Sequence, residues 1–107
     1  MPESVLILID KQFASIEKQL EKYEELEIDS GDGKLTIETP DGSKFILSRQ
    51  SATEQIWLAE PLNGWRFNLV EKQGEQRWIS EKEKKDLLLF LNELLSSRLG
   101  QTITLQS

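Results

Sequence analysis

At 107 residues, 37% of them apolar and 30% charged, the chain has the length of one domain, with one modest core and little room for a deep cleft. Its net charge of −6 and pI near 4.7 disfavour nucleic acid and anionic membrane surfaces, leaving cations and basic protein surfaces as partners. With neither cysteine nor histidine, disulfides, thiolate nucleophiles, Cys-type metal ligation and imidazole acid–base chemistry are excluded. Any metal site must then use oxygen ligands, which favour hard cations.

In chain order, the apolar run from Val5 to Ile9 follows Glu3 rather than a basic segment. It is too short for a membrane span and lacks the charge pattern of a signal peptide. Together with the Met1-Pro2-Glu3 start it leads us to expect a bacterial, cytoplasmic protein. From about residue 3 to 25, Ile9, Phe13, Ile16, Leu20 and Tyr23 recur at helical spacing and predict one buried stripe. Val5, Leu6 and Leu8 make the first turn more apolar than a surface helix needs, so they are expected to meet another element.

The period then changes to two. Leu26 and Ile28 alternate with Glu27 and Asp29, and Ser30 to Gly33 marks a turn. Leu35 and Ile37 alternate with Thr36 and Glu38, and Pro40-Asp41-Gly42 signals a hairpin. Phe45–Leu47, Gln55–Ala59, Arg66–Leu69 and Arg77–Ile79 complete about six short strands, with Asn63-Gly64 as a further tight turn. Consecutive hairpins predict an antiparallel sheet. Ser80 with Glu83 reads as a capping box ahead of an apolar helix from Leu87 to Leu99, ended by Gly100. The tail from Thr102 to Leu105 alternates and is expected to pack in an extended form. Two helices on one face of the sheet is the simplest way to bury both stripes, leaving the other face open.

Between Glu17 and Asp32 stand seven acids and two lysines, Lys18 and Lys22, so this segment holds −5 of the net charge of −6. On a helical wheel Glu3, Asp10, Glu17, Glu21 and Glu24 share one stripe, and Lys11, Lys18 and Lys22 share the next. Glu17/Glu21 and Glu21/Glu25 would be like-charge pairs four apart, each costing about a few tenths of a kcal/mol. A sequence tuned only for helix stability would interleave the signs. A solvated face that keeps the protein soluble is the plain alternative. The acids from Asp29 to Asp32 fail the spacing of a calcium loop, whose twelfth position would here be Pro40.

On the sheet, Ile56 and Leu58 are expected to face the helices, so Gln55 and Trp57 face outward, joined by Arg66, Asn68 and Gln50. An outward Trp on an open face is typical of a binding anchor. Trp65 and Trp78 read as core or edge residues.

Leu35-Thr36-Ile37, Asp41-Gly42-Ser43-Lys44, Arg49-Gln50, Gln55-Ile56-Trp57-Leu58-Ala59 and Gly64-x-x-Phe67 stand in the order and spacing of the frataxin family, of the bacterial CyaY type, which the chain resembles over nearly its whole length. The resemblance implies an α+β two-layer sandwich, an antiparallel five- to six-stranded sheet with N- and C-terminal helices on one face, forming a single domain over residues 1–107. It implies a protein that is not an enzyme, apart from a weak ferroxidase activity credited to some members. It implies weak iron binding, as Fe2+ or Fe3+, by surface carboxylates, here Asp10, Glu17, Glu21, Glu24, Glu25, Glu27 and Asp29. It also implies docking on the cysteine desulfurase and scaffold that assemble iron–sulfur clusters, to regulate assembly or supply iron, through Glu17, Glu21, Gln50, Gln55, Trp57, Arg66 and Asn68. The expected state is a monomer, or an oligomer formed with iron. Lys18 and Lys22 depart from the family's more uniformly acidic ridge and lower cation affinity over about a Debye length, ~8–10 Å. Two alternatives stand beside this reading. One is an iron-independent acidic adaptor of the same machinery. The other is a small carboxylate-based hydrolase, which the clustering of acids on one exposed helix and strand argues against.

Overall fold

Ser4 starts the first helix as an N-cap: its hydroxyl accepts the Ile7 N–H at 3.2 Å, and α1 runs Val5–Leu20. The computed structural model describes residues 4–107, so Glu3 of the acidic stripe lies outside the described residues. Ile9, Phe13, Ile16 and Leu20 form the buried stripe of α1, and Val5, Leu6 and Leu8 pack half-buried against the same core.

The helix stops at Leu20, short of the expected residue 25. Two successive turns follow, with Tyr23 N–H bonded to Leu20 O and Leu26 N–H to Tyr23 O, both 3.0 Å. No Pro or Gly enforces this. Leu20 and Leu26 are both buried, and only a turn returns the chain to the sheet in time for Ile28 to pair with Ile37. Burial here outweighs the helix propensity of Glu21 to Glu25.

Six strands follow: β1 (Glu27–Gly31), β2 (Lys34–Glu38), β3 (Lys44–Gln50), β4 (Gln55–Ala59), β5 (Gly64–Lys72) and β6 (Glu75–Ser80). They form one antiparallel sheet in sequence order, with β1 and β6 at the edges. The turn between β2 and β3 is closed by Gly42 N–H to Thr39 O at 2.9 Å, with Gly42 at φ 86. That positive φ is why Gly follows Pro40-Asp41.

The expected capping box between Ser80 and Glu83 does not form. Six residues separate β6 from helix α2 (Leu87–Leu99), with Asp86 at its N-cap position. Ser80 ends β6, and its hydroxyl accepts the Lys85 N–H and donates to the Lys82 carbonyl. Glu83 and Lys84 take left-handed φ values of 63 and 49, turning the chain back so that Asp86 bridges Ile79 and receives Arg77 at 2.6 Å. The Arg77–Asp86 contact, from both Nε and Nη2, holds the segment where a capping box would have begun the helix earlier.

Both helices cover one sheet face. The core joins the α1 stripe to Leu35, Ile37, Phe45, Leu47, Ile56, Leu58 and Phe67 from the sheet and to Leu87, Leu91 and Leu95 from α2. Trp65 and Trp78 belong to it as well, and Trp65 meets Phe90 edge-on with ring centroids 4.7 Å apart. Ile103 and Leu105 of the tail are buried, so the extended tail is part of the core. Its backbone is held by α2: Ser96 Oγ accepts the Ile103 N–H and Asn92 Oδ1 the Leu105 N–H. No helix among the described residues is long and apolar enough to cross a membrane.

Candidate functional site: the open sheet face and the acidic edge

Strand alternation puts Ser48, Gln50, Gln55, Trp57, Ala59, Gly64, Arg66 and Asn68 on the face away from the helices. The register aligns Ser48, Trp57 and Arg66 in one cross-strand row, and pairs Gln50 with Gln55 in the next. Trp57 is half-buried rather than fully outward. Arg66 lies over its ring with the guanidinium carbon 4.7 Å from the centroid, a cation–π contact between direct cross-strand neighbours.

Gln55 differs from its expected role as an exposed contact. It is only 6% exposed, and its amide is fully engaged. Nε2 donates to Asn68 Oδ1 at 3.0 Å and to Glu81 Oε2 at 2.7 Å, while Oε1 accepts the Trp57 indole N–H at 2.8 Å. Gln55 thus holds Trp57 by the N–H edge of its ring. Glu81 escapes a sequence reading because it follows β6 in a turn, and no local pattern ties it to β4. Beside Trp57 lies a hollow of about 300 Å³ lined by Ser48, Leu58, Ala59, Gly64, Trp65 and Arg66. Ala59 and Gly64 pair across β4 and β5, so the small side chains that leave the hollow open sit in one row.

The acidic residues divide between two faces of the β1 edge. On the helix side, Glu17 Oε2 accepts the Ser30 hydroxyl at 3.2 Å, tying α1 to β1. Asp10 is bound through both oxygens by Arg49 Nη1, at 2.7 and 2.8 Å, so it is the least available of the candidate ligands. Arg49 also packs on Gly33, where a Cβ would come within 3.5 Å of its Nε. Because Ser30 and Ile28 face the helices, Glu27 and Asp29 must face the other way. Glu27 stands directly opposite Glu38, which the hairpin register brings in and the sequence reading did not include. Like charges opposite each other destabilise a sheet, and Lys44, opposite Glu38 on its other side, offsets part of that.

Glu21 is the C-cap residue of α1, and Glu24 and Glu25 lie exposed in the turns beyond it. The helical stripe therefore ends at Glu17 and Glu21, and Glu21 and Glu25 do not form a helical pair. Lys22 also leaves the helix and lies against the Tyr23 ring at 5.4 Å. Among the described residues no three carboxylates converge as a ligand set. The edge is an open row of carboxylates, which suits a hydrated, exchangeable hard cation rather than an enclosed one.

A two-helix layer on a six-stranded antiparallel meander, with one sheet face left uncovered by the helices, defines an α+β two-layer sandwich. A family model for the frataxin-like domain matches residues 4–101. The chain belongs to the frataxin family, and its relatives place it with the bacterial CyaY type. It is 37% identical to the iron–sulfur cluster assembly protein CyaY of Thioalkalivibrio sulfidiphilus, covering 85% of this chain and 89% of that one. It is 33% identical to the protein of the same name from Pseudomonas putida, covering 74% and 70%. The solved frataxin of Psychromonas ingrahamii superposes with a TM-score of 0.84 at 25% identity, over 96% of this chain and 95% of that one. The trimeric frataxin of the yeast Saccharomyces cerevisiae, solved in complex with ferrous iron, shares the fold with a TM-score of 0.70 at 24% identity, over 94% and 90%.

Proposed function

We propose that this chain serves iron–sulfur cluster assembly as a non-catalytic docking protein of the cytoplasm. It contacts the desulfurase–scaffold complex through the open sheet face and the acidic edge. The observation that carries the reading is the preset Trp57: its indole N–H is bonded to Gln55 and its ring covered by Arg66, beside a hollow of about 300 Å³. An aromatic anchor held in place before binding is the usual centre of an energetically dominant contact. The acidic edge, with Glu17 and Glu21 on one side and Glu27 and Asp29 on the other, presents a field to a basic partner surface and speeds association.

Iron is cargo in this reading. Glu27, Asp29 and Glu38 on the outer side, with Glu24 and Glu25 in the adjoining turn, would hold Fe2+ or Fe3+ weakly with several waters retained. One observation favours the iron-independent adaptor as a second reading: Asp10 is already neutralised by Arg49. A ferrous titration and a desulfurase–scaffold binding assay separate the two. The charge-neutralised variants Glu17→Gln with Glu21→Gln, and Glu27→Gln with Asp29→Asn, are compared with Trp57→Ala. Iron binding that survives both carboxylate pairs removes those four residues as the metal site, whereas an unsubstituted chain that binds no iron but still binds the complex leaves the adaptor. Normal partner binding by Trp57→Ala removes the sheet face from the interface.

A further inference from the structure

We propose that Glu81 is a positioning residue for Trp57: its carboxylate orients the Gln55 amide, and that amide holds the indole in the conformation a partner meets. The proposal rests on the open sheet face being a docking surface. Glu81 is placed for this by its own backbone, whose N–H donates to the Arg66 carbonyl at 2.9 Å and so ties the residue to β5. Its Oε2 then accepts Gln55 Nε2 at 2.7 Å and Asn68 Nδ2 at 3.4 Å.

The logic is one of donors and acceptors. A carboxylate only accepts, and an indole N–H only donates. Gln55 stands between the two, with its NH2 toward Glu81 and Asn68 and its carbonyl toward Trp57. Reversing the amide would set its NH2 against the indole N–H and its carbonyl against the carboxylate. At a residue only 6% exposed, water cannot repair either mismatch cheaply. Glu81 therefore determines, through one intervening side chain, that the Trp57 indole has an acceptor. Arg66 covers the face of the ring while Gln55 holds its N–H edge. The rotamer freedom of Trp57 is spent before a partner arrives, which lowers the cost of docking.

The test follows the Trp57 indole N–H by 15N NMR, assigned with Trp57→Phe, alongside affinity for the desulfurase–scaffold complex. Glu81→Ala is expected to speed hydrogen exchange at Trp57 and weaken binding by about three- to ten-fold. Glu81→Lys, a donor in place of an acceptor, is expected to do more. Adding Gln55→Glu to Glu81→Lys restores an acceptor at the indole and is expected to recover both signals. The indoles of Trp65 and Trp78, buried in the core, should stay unchanged throughout, which separates positioning from general unfolding. An unmoved Trp57 signal in Glu81→Lys, or a double variant no better than the single one, overturns the proposal. If Trp57→Ala binds the complex normally, the docking reading fails, while the NMR arm still decides whether Glu81 orients Trp57.

Discussion

Gln19 and Gln106 exchange two hydrogen bonds: Gln19 Nε2 donates to the Gln106 carbonyl and Gln19 Oε1 accepts the Gln106 N–H, both at 2.8 Å. A side chain of α1 thus pairs with the tail backbone as a strand would, while Asn92 and Ser96 of α2 hold the same tail from its other side. The tail closes the seam between the helices and brings Ile103 and Leu105 into the core. We expect Ile103→Ala and Leu105→Ala each to cost about 2–4 kcal/mol in chemical denaturation. Gln19→Ala should cost about 1 kcal/mol. Tail variants that unfold like the unsubstituted chain would show that the seam contributes nothing.

Gly64 offers a way to block the sheet face without disturbing the fold. A Cβ built there meets nothing within 4 Å, and the position opens on the hollow beside Trp57. Gly64→Leu should fill the hollow, leave thermal stability within about 0.5 kcal/mol, and weaken partner binding at least about ten-fold. Undiminished binding by the folded variant places the contact elsewhere.

Asp41 is expected to contribute to the acid limb of stability. The Thr39 hydroxyl, then the Ser43 backbone N–H, with Arg98 as a smaller contributor, hold its carboxyl well below the ordinary 3.8. A depressed folded pKa means that this stabilisation is present above the unfolded pKa and is lost as pH falls through the folded one. Asp41→Asn should lower stability at neutral pH and flatten the decline below about pH 4. Parallel acid-unfolding curves for the two proteins would exclude Asp41 as the group responsible.

On the proposed iron-cargo reading, Arg49 is a rival of the cation for Asp10. Arg49→Ala frees one carboxylate at the helix side of the edge, and ferrous affinity should rise about two-fold through the added charge. The lost ion pair is partly exposed, so stability should fall by less than about 1 kcal/mol. Titration of iron into both proteins reads the difference, and weaker binding by the variant would make Arg49 part of the site instead of its rival.

Among the described residues, the buried indole N–H of Trp65 has no hydrogen-bond partner. Trp65→Phe therefore loses packing volume but no bond, and should cost less than about 1.5 kcal/mol, against about 3–5 for Trp65→Ala. Equal losses in thermal melts would mean that the indole nitrogen matters.

Much of this was legible in the residues. The alternation of Leu35 with Ile37 and of Ile56 with Leu58, and the helical spacing of Ile9, Phe13 and Ile16, predict both layers correctly, because burial repeats every second residue on a strand and every 3.6 on a helix. Two local patterns misled. Glu21 to Glu25 favours helix and Ser80 with Glu83 favours a cap, yet the first is overridden by Leu26 and the second by Arg77 with Asp86.

What the sequence by itself determined is which residues face inward, where the sheet turns, and that the net charge gathers between Glu17 and Asp32. Those properties are local, and period and composition record them. Only the tertiary structure decided the partnerships that make a surface specific. Glu81 meets Gln55 across 26 residues, Arg49 meets Asp10 across 39, and Glu27 and Asp29 part from Glu17 onto the opposite face of β1. Such pairings depend on strand register and on the direction in which a side chain leaves its strand. A one-residue slip would reverse every one of those directions while leaving the composition unchanged.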